Sequence, residues 1–189
     1  VYQHFRSKEA MVVALANRVQ ARCGERITKA ITYDGCARMR LYAAVLSFLD
    51  MYSGCPELAL FESISMEPSI WQKASAEERH EHDLTVQSHF SVTQVLVHEA
   101  VAAGDLELGQ WHVSELLMAL WSIVFGNRLL TFQLSQSHEG AAWLPLDFYE
   151  YTKRIVNSFL DGLNWQPLFS EAEYGDVEQW VKNTLKMKS

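Results

Sequence analysis

Histidine and carboxylate side chains occur at two places in the chain where a metal ion could bind. The segment from His80 to Asp83 reads His-Glu-His-Asp, and His98-Glu99 begins like the metal-binding helix of a zinc protease. Residues two apart on a helix point to different faces, so the first segment cannot hold one ion on a single face. In the second, Ala102 stands where the second histidine should be. We therefore predict no metal site and no cofactor.

Nucleophilic catalysis has no local signature either. The chain contains no G-x-S-x-G nucleophile elbow, no P-loop and no dinucleotide fingerprint. Catalytic groups assembled from distant positions would escape such a search, but on this evidence we expect the protein not to be an enzyme. Cys23, Cys36 and Cys55 form no C-x-x-C pair, which is typical of reduced thiols in the cytoplasm.

Composition limits the class of protein further. The 189 residues suit one hydrophobic core, and 49% of them are apolar, which excludes a disordered chain. A net charge of -7 argues against non-specific binding of nucleic acid by the chain as a whole. The longest unbroken apolar run, Ala10 to Ala16, is far shorter than a membrane span. We expect a soluble, cytoplasmic protein with no membrane contact.

The elements that position these residues are predicted to be helices throughout. Apolar residues recur at intervals of three and four, and period-two alternation is never sustained, so the sequence indicates an all-α fold. Ser7, Ser75, Asp147 and Ser170 have the residue types and spacing of helix N-caps. Gly104 follows the helix that begins at Ser75, as a left-handed C-cap would. Seven helices are predicted.

Two late helices carry more apolar surface than a small core requires. The helix predicted at residues 110 to 134 is apolar on all sides, and the next one carries a stripe from Phe148 to Leu163. We expect them to form a four-helix bundle across the axis of a homodimer. The alternative is that both pack within one subunit.

Polar side chains that could bind anions occur at the start of the chain, which reads VYQHFRSKEAM. Tyr2 and His4 lie on one side of a terminal helical turn and could donate hydrogen bonds to phosphate oxygens. Lys8 follows the predicted N-cap Ser7, at a helix N-terminus that attracts anions. Phe5 is expected to join this turn to the core.

This segment resembles the end of the DNA-binding domain of TetR-family transcriptional regulators. In that family an aliphatic-Tyr-x-His/Tyr-Phe stretch ends the recognition helix, and Ser-Lys-Glu/Asp begins the next helix. The resemblance implies a remnant of a helix-turn-helix domain at residues 1–26 and a ligand-binding and dimerisation domain at residues 27–189. It also implies that the base-reading helices precede Val1, so we expect a fragment that does not bind operator DNA as it stands.

The resemblance further implies a ligand-responsive regulator, a repressor that a small apolar or aromatic effector releases from its operator. The ligand would lie among the second to fifth predicted helices and displace the long helix after Ser75. The helix from Ser7 would then transmit the change to the two DNA-binding heads. Candidate ligand contacts are the aromatic residues Tyr42, Phe48, Tyr52, Phe61, Phe90, Trp121 and Phe125, and the polar residues Glu62, His98, Asn127 and Arg128.

Other interpretations remain open at this level. For each of these candidate residues taken separately, ordinary core packing is the more common role, so the prediction concerns the region more than the individual residues. The whole chain could be a helical carrier of a hydrophobic molecule with no role at DNA, and activation of transcription is as consistent with the sequence as repression. An enzyme would require titratable groups that converge in a pocket.

Overall fold

The computed structural model is all α-helical over the residues that it describes, which are 5, 7–53, 57–135 and 147–185. Within these ranges the chain forms eight helices and no strand. The helices are α1 (Lys8–Ala30), α2 (Ala37–Ser53), α3 (Glu57–Ser65), α4 (Pro68–Gln72), α5 (Ala76–Ala103), α6 (Val113–Ser135), α7 (Phe148–Gly162) and α8 (Glu171–Thr184). The predicted all-α fold is confirmed, with the short helix α4 in addition to the seven predicted helices.

The predicted N-caps begin four of these helices. Ser7 Oγ accepts a hydrogen bond from a backbone N–H of the first turn of α1 at 3.0 Å. At α5 the Ser75 hydroxyl accepts from the Glu78 N–H, and the Glu78 carboxylate accepts from the Ser75 N–H. The side chains of Asp147 and Ser170 likewise accept hydrogen bonds from backbone N–H groups in the first turns of α7 and α8, without the reciprocal bond found at Ser75. Each cap satisfies backbone donors that have no partner within the helix.

The first helix continues through the domain boundary that the sequence suggests. α1 is unbroken from Lys8 to Ala30, so the proposed division after residue 26 falls within its last turns. Side chains on α1 pack against α2 and α5. The helix that follows the N-terminal motif is therefore part of the same core as the rest of the chain.

The centre of the core is α2, which contacts α1, α5, α7 and α8. The large apolar side chains of Leu41, Val45 and Leu49 share one stripe, but every side chain from residue 41 to residue 49 is buried. The small side chains of Ala43, Ala44 and Ser47 lie on the other sides of the helix. Because these side chains are short, neighbouring helices can approach α2 closely on every side.

The most apolar helix, α6, has an exposed side within the single chain. Met118 is 56% exposed and Leu130 is 59% exposed. By length and composition alone, the stretch Val113–Leu134 is also able to cross a membrane, with a third of its most apolar window buried. Core helices of soluble proteins have the same length and composition, so the absence of membrane contact stays a prediction.

Candidate functional site

A mostly apolar cavity of about 280 Å³ lies between α1, α2, α5 and α6. Small-molecule sites in proteins are concave and largely apolar, with a few polar groups. The volume suits a small ligand. The residues that line the cavity are Gln20, Cys23, Phe48, Val86, His89, Phe90, Met118, Trp121, Ser122 and Phe125.

Helical spacing brings these side chains to one place. Trp121 and Ser122 follow Met118 by three and four residues and precede Phe125 by four and three, so the four residues lie near one face of α6. α1, α2 and α5 supply the facing walls in the same way. The cavity is therefore assembled from four separate helix faces.

Three aromatic rings form one continuous wall of the cavity. The ring centroid of Phe48 lies 5.5 Å from that of Trp121 and 5.1 Å from that of Phe125. The rings are tilted or edge-on to one another, which is the arrangement that aromatic pairs prefer. Such a wall offers both ring faces and ring edges to a planar apolar molecule.

The lining carries no full charge at neutral pH. It contains no aspartate, glutamate, lysine or arginine. Burial raises the pKa of the Cys23 thiol to about 12, so the thiol stays protonated. Burial also lowers the pKa of His89 below 6.5, and a hydrogen bond to the Gln20 backbone only partly opposes this shift. The cavity therefore favours an uncharged ligand.

A buried ion pair lies behind this wall. Arg128 Nη2 is paired with Glu62 Oε2, and the Tyr52 hydroxyl donates to Glu62 Oε1 at 3.0 Å. The Arg128 guanidinium lies 4.3 Å from the Tyr52 ring centroid and 5.4 Å from that of Phe125. Burial lowers the pKa of Arg128 and raises the pKa of Tyr52. The two charges neutralise each other and do not line the cavity.

The structure divides the predicted ligand contacts into three groups. Phe90, Trp121 and Phe125 line the cavity together with Phe48. Tyr52, Glu62 and Arg128 form the ion-pair cluster beside it. The other four residues lie outside both groups.

Tyr42 and His98 do not line the cavity, because each lies on another side of its helix. Tyr42 lies on the α8 side of α2, where its hydroxyl donates to Glu178 at 3.0 Å and its ring packs edge-on against Tyr174. His98 lies on an exposed face of α5. Phe61 and Asn127 are half-buried and line no part of the cavity.

Six lining residues were not among the predicted contacts. They are Gln20, Cys23, Val86, His89, Met118 and Ser122. Most have no distinctive residue type, so the sequence carries little signal for them. The place of His89 depends on a tertiary contact, because a Cβ atom added to Gly24 on α1 would lie 2.4 Å from His89 Nε2.

Among the predicted DNA contacts, Tyr2 and His4 lie outside the described residues. Lys8 is exposed as the first residue of α1. The neighbouring Glu9 carboxylate accepts from Lys73 at 2.5 Å, and this interaction holds the pKa of Glu9 at about 2. The start of α1 is thereby joined to the residue that follows α4.

In the histidine-rich segment of α5, His82 packs against neighbouring side chains. His82 is half-buried, stacks on Trp71 with ring centroids 4.3 Å apart, and shares a hydrogen bond of 3.2 Å with Asn17. His80 and Asp83 are exposed. In the part of the chain that the structure describes, no three histidine, cysteine or acidic side chains are close enough together to hold a metal ion.

Comparison with known proteins adds no relative. No family model, no curated protein and no solved structure matches this chain. Its function is therefore inferred from its own residues and geometry.

Proposed function

We propose that this chain is the ligand-binding and dimerisation part of a cytoplasmic, ligand-responsive transcriptional regulator of the TetR kind, which acts as a repressor and has no catalytic activity. One observation carries the proposal. α1 begins at the Ser7-Lys8 step of the DNA-binding motif and also lines the cavity through Gln20 and Cys23. A ligand in the cavity would therefore contact the same helix that follows the DNA-binding segment.

α1 is long enough to transmit a displacement. Cys23 follows Lys8 by fifteen residues, which is about 22 Å along a helix. α5 packs against α1 where the His89 ring meets Gly24, so a shift of α5 would also move α1. An effector that binds the displaced arrangement more tightly would weaken DNA binding by the same factor as DNA weakens effector binding.

The dimer of this proposal is formed by α6 and α7. Met118 and Leu130 expose apolar surface on α6, and a Cβ atom added to Gly126 would meet no atom within 4 Å. Tyr151 and Phe159 continue a half-buried stripe on α7. Two such helices from each copy would make a four-helix bundle about a two-fold axis.

The test is fluorescence anisotropy of the full-length protein with its own promoter duplex and with a scrambled duplex, at two salt concentrations. We expect tight binding to the promoter alone, with a salt dependence equivalent to several phosphate contacts. Addition of an apolar effector that binds the protein should release the duplex. Equal weak binding to both duplexes at low salt would contradict the proposal.

A carrier of a hydrophobic molecule is the second candidate function. It is favoured by the same neutral, aromatic lining of the cavity, because a hydrophobic molecule could bind there whether or not the protein binds DNA. The same experiment separates the two candidates. A carrier would bind a neutral apolar dye and neither duplex.

A further inference from the structure

We propose that a second copy of this chain closes the mouth of the cavity, so that ligand binding and dimer formation strengthen each other. This inference rests on the cavity and the dimer of the proposed function. It adds that one copy alone forms an incomplete site.

The mouth of the cavity lies beside α6. Met118 and Ser122 are exposed, and Met118 retains 56% of its accessible surface. The inner wall is closed, because Cys23, Phe48 and Trp121 are all buried. A ligand seated against this wall would keep one side open toward the solvent next to Met118.

The same two residues belong to the outer face of α6. At 100° per residue, Ser122 lies about 40° and Leu130 about 120° from Met118 around the helix, so the three residues share one broad face. That face continues along the helix through Ile123 and Gly126. A protein surface that covered this face would therefore also cover the mouth.

The charge pattern favours another copy of the chain as the occupant of this face. From Leu116 to Ser135 the sequence contains one charged residue, Arg128, and it is buried against Glu62. A two-fold contact places each patch against itself, so charged patches would face like charges across the axis. With a net charge of -7, much of the remaining surface would repel a second copy. Within α6 the exposed charge is Glu115, in the first turn of the helix, so repulsion between two copies is weak along the rest of the outer face.

Ligand and dimer are then linked thermodynamically. A ligand that gains contacts with the partner binds the dimer more tightly than the monomer, and by linkage it strengthens the dimer by a corresponding factor. An effect of about tenfold lies within the usual range of such coupling. The lining has no charge, so a neutral aromatic probe is appropriate.

The experiment compares three forms of the chain. Leu130→Glu places a carboxylate on the outer face at a residue that is 59% exposed and does not line the cavity. Val95→Glu is the matched control, at a residue that is 52% exposed on α5 and does not line the cavity either. Sedimentation velocity gives the dimer dissociation constant with and without phenylnaphthylamine, and fluorescence titration gives the affinity for this neutral dye.

We expect the wild-type chain and Val95→Glu to be dimers that the dye strengthens. Leu130→Glu should be a folded monomer by circular dichroism and should bind the dye about tenfold more weakly. A Leu130→Glu chain that remains dimeric overturns the assignment of the outer face. A monomeric variant with unchanged dye affinity overturns closure of the site by the partner and leaves the proposed function intact.

Two further results would also overturn the inference. If no form binds the dye, the cavity is not a ligand site, and the ligand response of the proposed function fails with it. If the wild-type chain is monomeric and sediments with phosphatidylcholine vesicles, the outer face contacts lipid instead of a second copy. DNA binding by the full-length protein is measured separately and is independent of both results.

Discussion

At the scale of single residues, Glu62 and Arg128 form a buried ion pair beside the cavity. Both side chains are removed from water, and each depends on the other for compensation. Removing one partner leaves an uncompensated buried charge, whereas removing both also removes the cost of desolvation.

We expect Arg128→Met alone to lower the free energy of unfolding by about 3 to 5 kcal/mol. The double variant Glu62→Gln with Arg128→Met should lose much less, because the neutral amide can still accept the Tyr52 hydroxyl. Urea unfolding of the single and double variants measures the difference. A double variant that is less stable than Arg128→Met would show that this account of the pair is wrong.

His89 should make stability depend on pH. Its pKa in the folded chain is lowered from 6.5 by burial, so the unfolded chain binds more protons between the two values. The contribution of neutral His89 is complete above pH 6.5 and is lost as the pH falls. His82 shifts in the same direction for the same reason.

The measurement is urea unfolding at about pH 7.5 and about pH 5.5, on either side of the ordinary histidine pKa. We expect the wild-type chain to be less stable at the lower pH, and His89→Gln to lose part of this difference. His98→Gln, at an exposed position, should behave like the wild-type chain. An unchanged difference in His89→Gln would exclude His89 as a source of the pH dependence.

At the scale of helices, two glycines that lie within helices have different surroundings. A Cβ atom added to Gly24 of α1 would lie 2.4 Å from His89 Nε2, whereas one added to Gly175 of α8 would meet nothing within 4 Å. Alanine is the better helix former at both positions. Only contact between helices distinguishes them.

We therefore expect Gly175→Ala to raise the free energy of unfolding by about 0.5 to 1 kcal/mol. Gly24→Ala should lower it, because the buried His89 ring must move and separate α1 from α5. It should also weaken dye binding in the cavity that His89 lines. Thermal unfolding of the Gly24→Ala and Gly175→Ala variants tests this prediction. If both variants were stabilised equally, α1 and α5 would not be closely packed at Gly24.

At the scale of the whole molecule, Arg38 joins parts of the chain that are far apart in sequence. Its side chain is fully buried, with Nη1 donating to the Trp165 carbonyl and Nη2 paired with Asp161 at 2.5 Å. Arg40, two residues later, forms a more exposed pair with Glu99. The two arginines differ in burial and not in residue type.

We expect Arg38→Leu to lower the free energy of unfolding by about 3 kcal/mol, because a buried carbonyl and a carboxylate lose their partner. Arg40→Leu should cost less than about 1 kcal/mol, as partly exposed ion pairs generally do. Chemical unfolding of the two variants gives the comparison. Equal losses would show that Arg38 does not hold α2 to the segment after α7.

The sequence by itself determined the class of fold and the helix ends. Ser7, the capping box at Ser75, and Gly104 with its φ of 80° all act on backbone groups within a few residues. Such local interactions are readable from spacing alone. The seven predicted helices therefore appear in the structure, and α4 was missed because it has only five residues.

Only the tertiary structure decided which side chains meet at the cavity. Phe48 and Tyr42 are aromatic residues on the same helix, yet Phe48 lines the cavity and Tyr42 packs against α8. Cys23 and His89 join the site although their residue types did not single them out. Periodicity indicates that a helix face is apolar, but its neighbour is chosen by packing between segments distant in sequence. For the same reason α2 is buried all round while α6, the more apolar helix, keeps an exposed face.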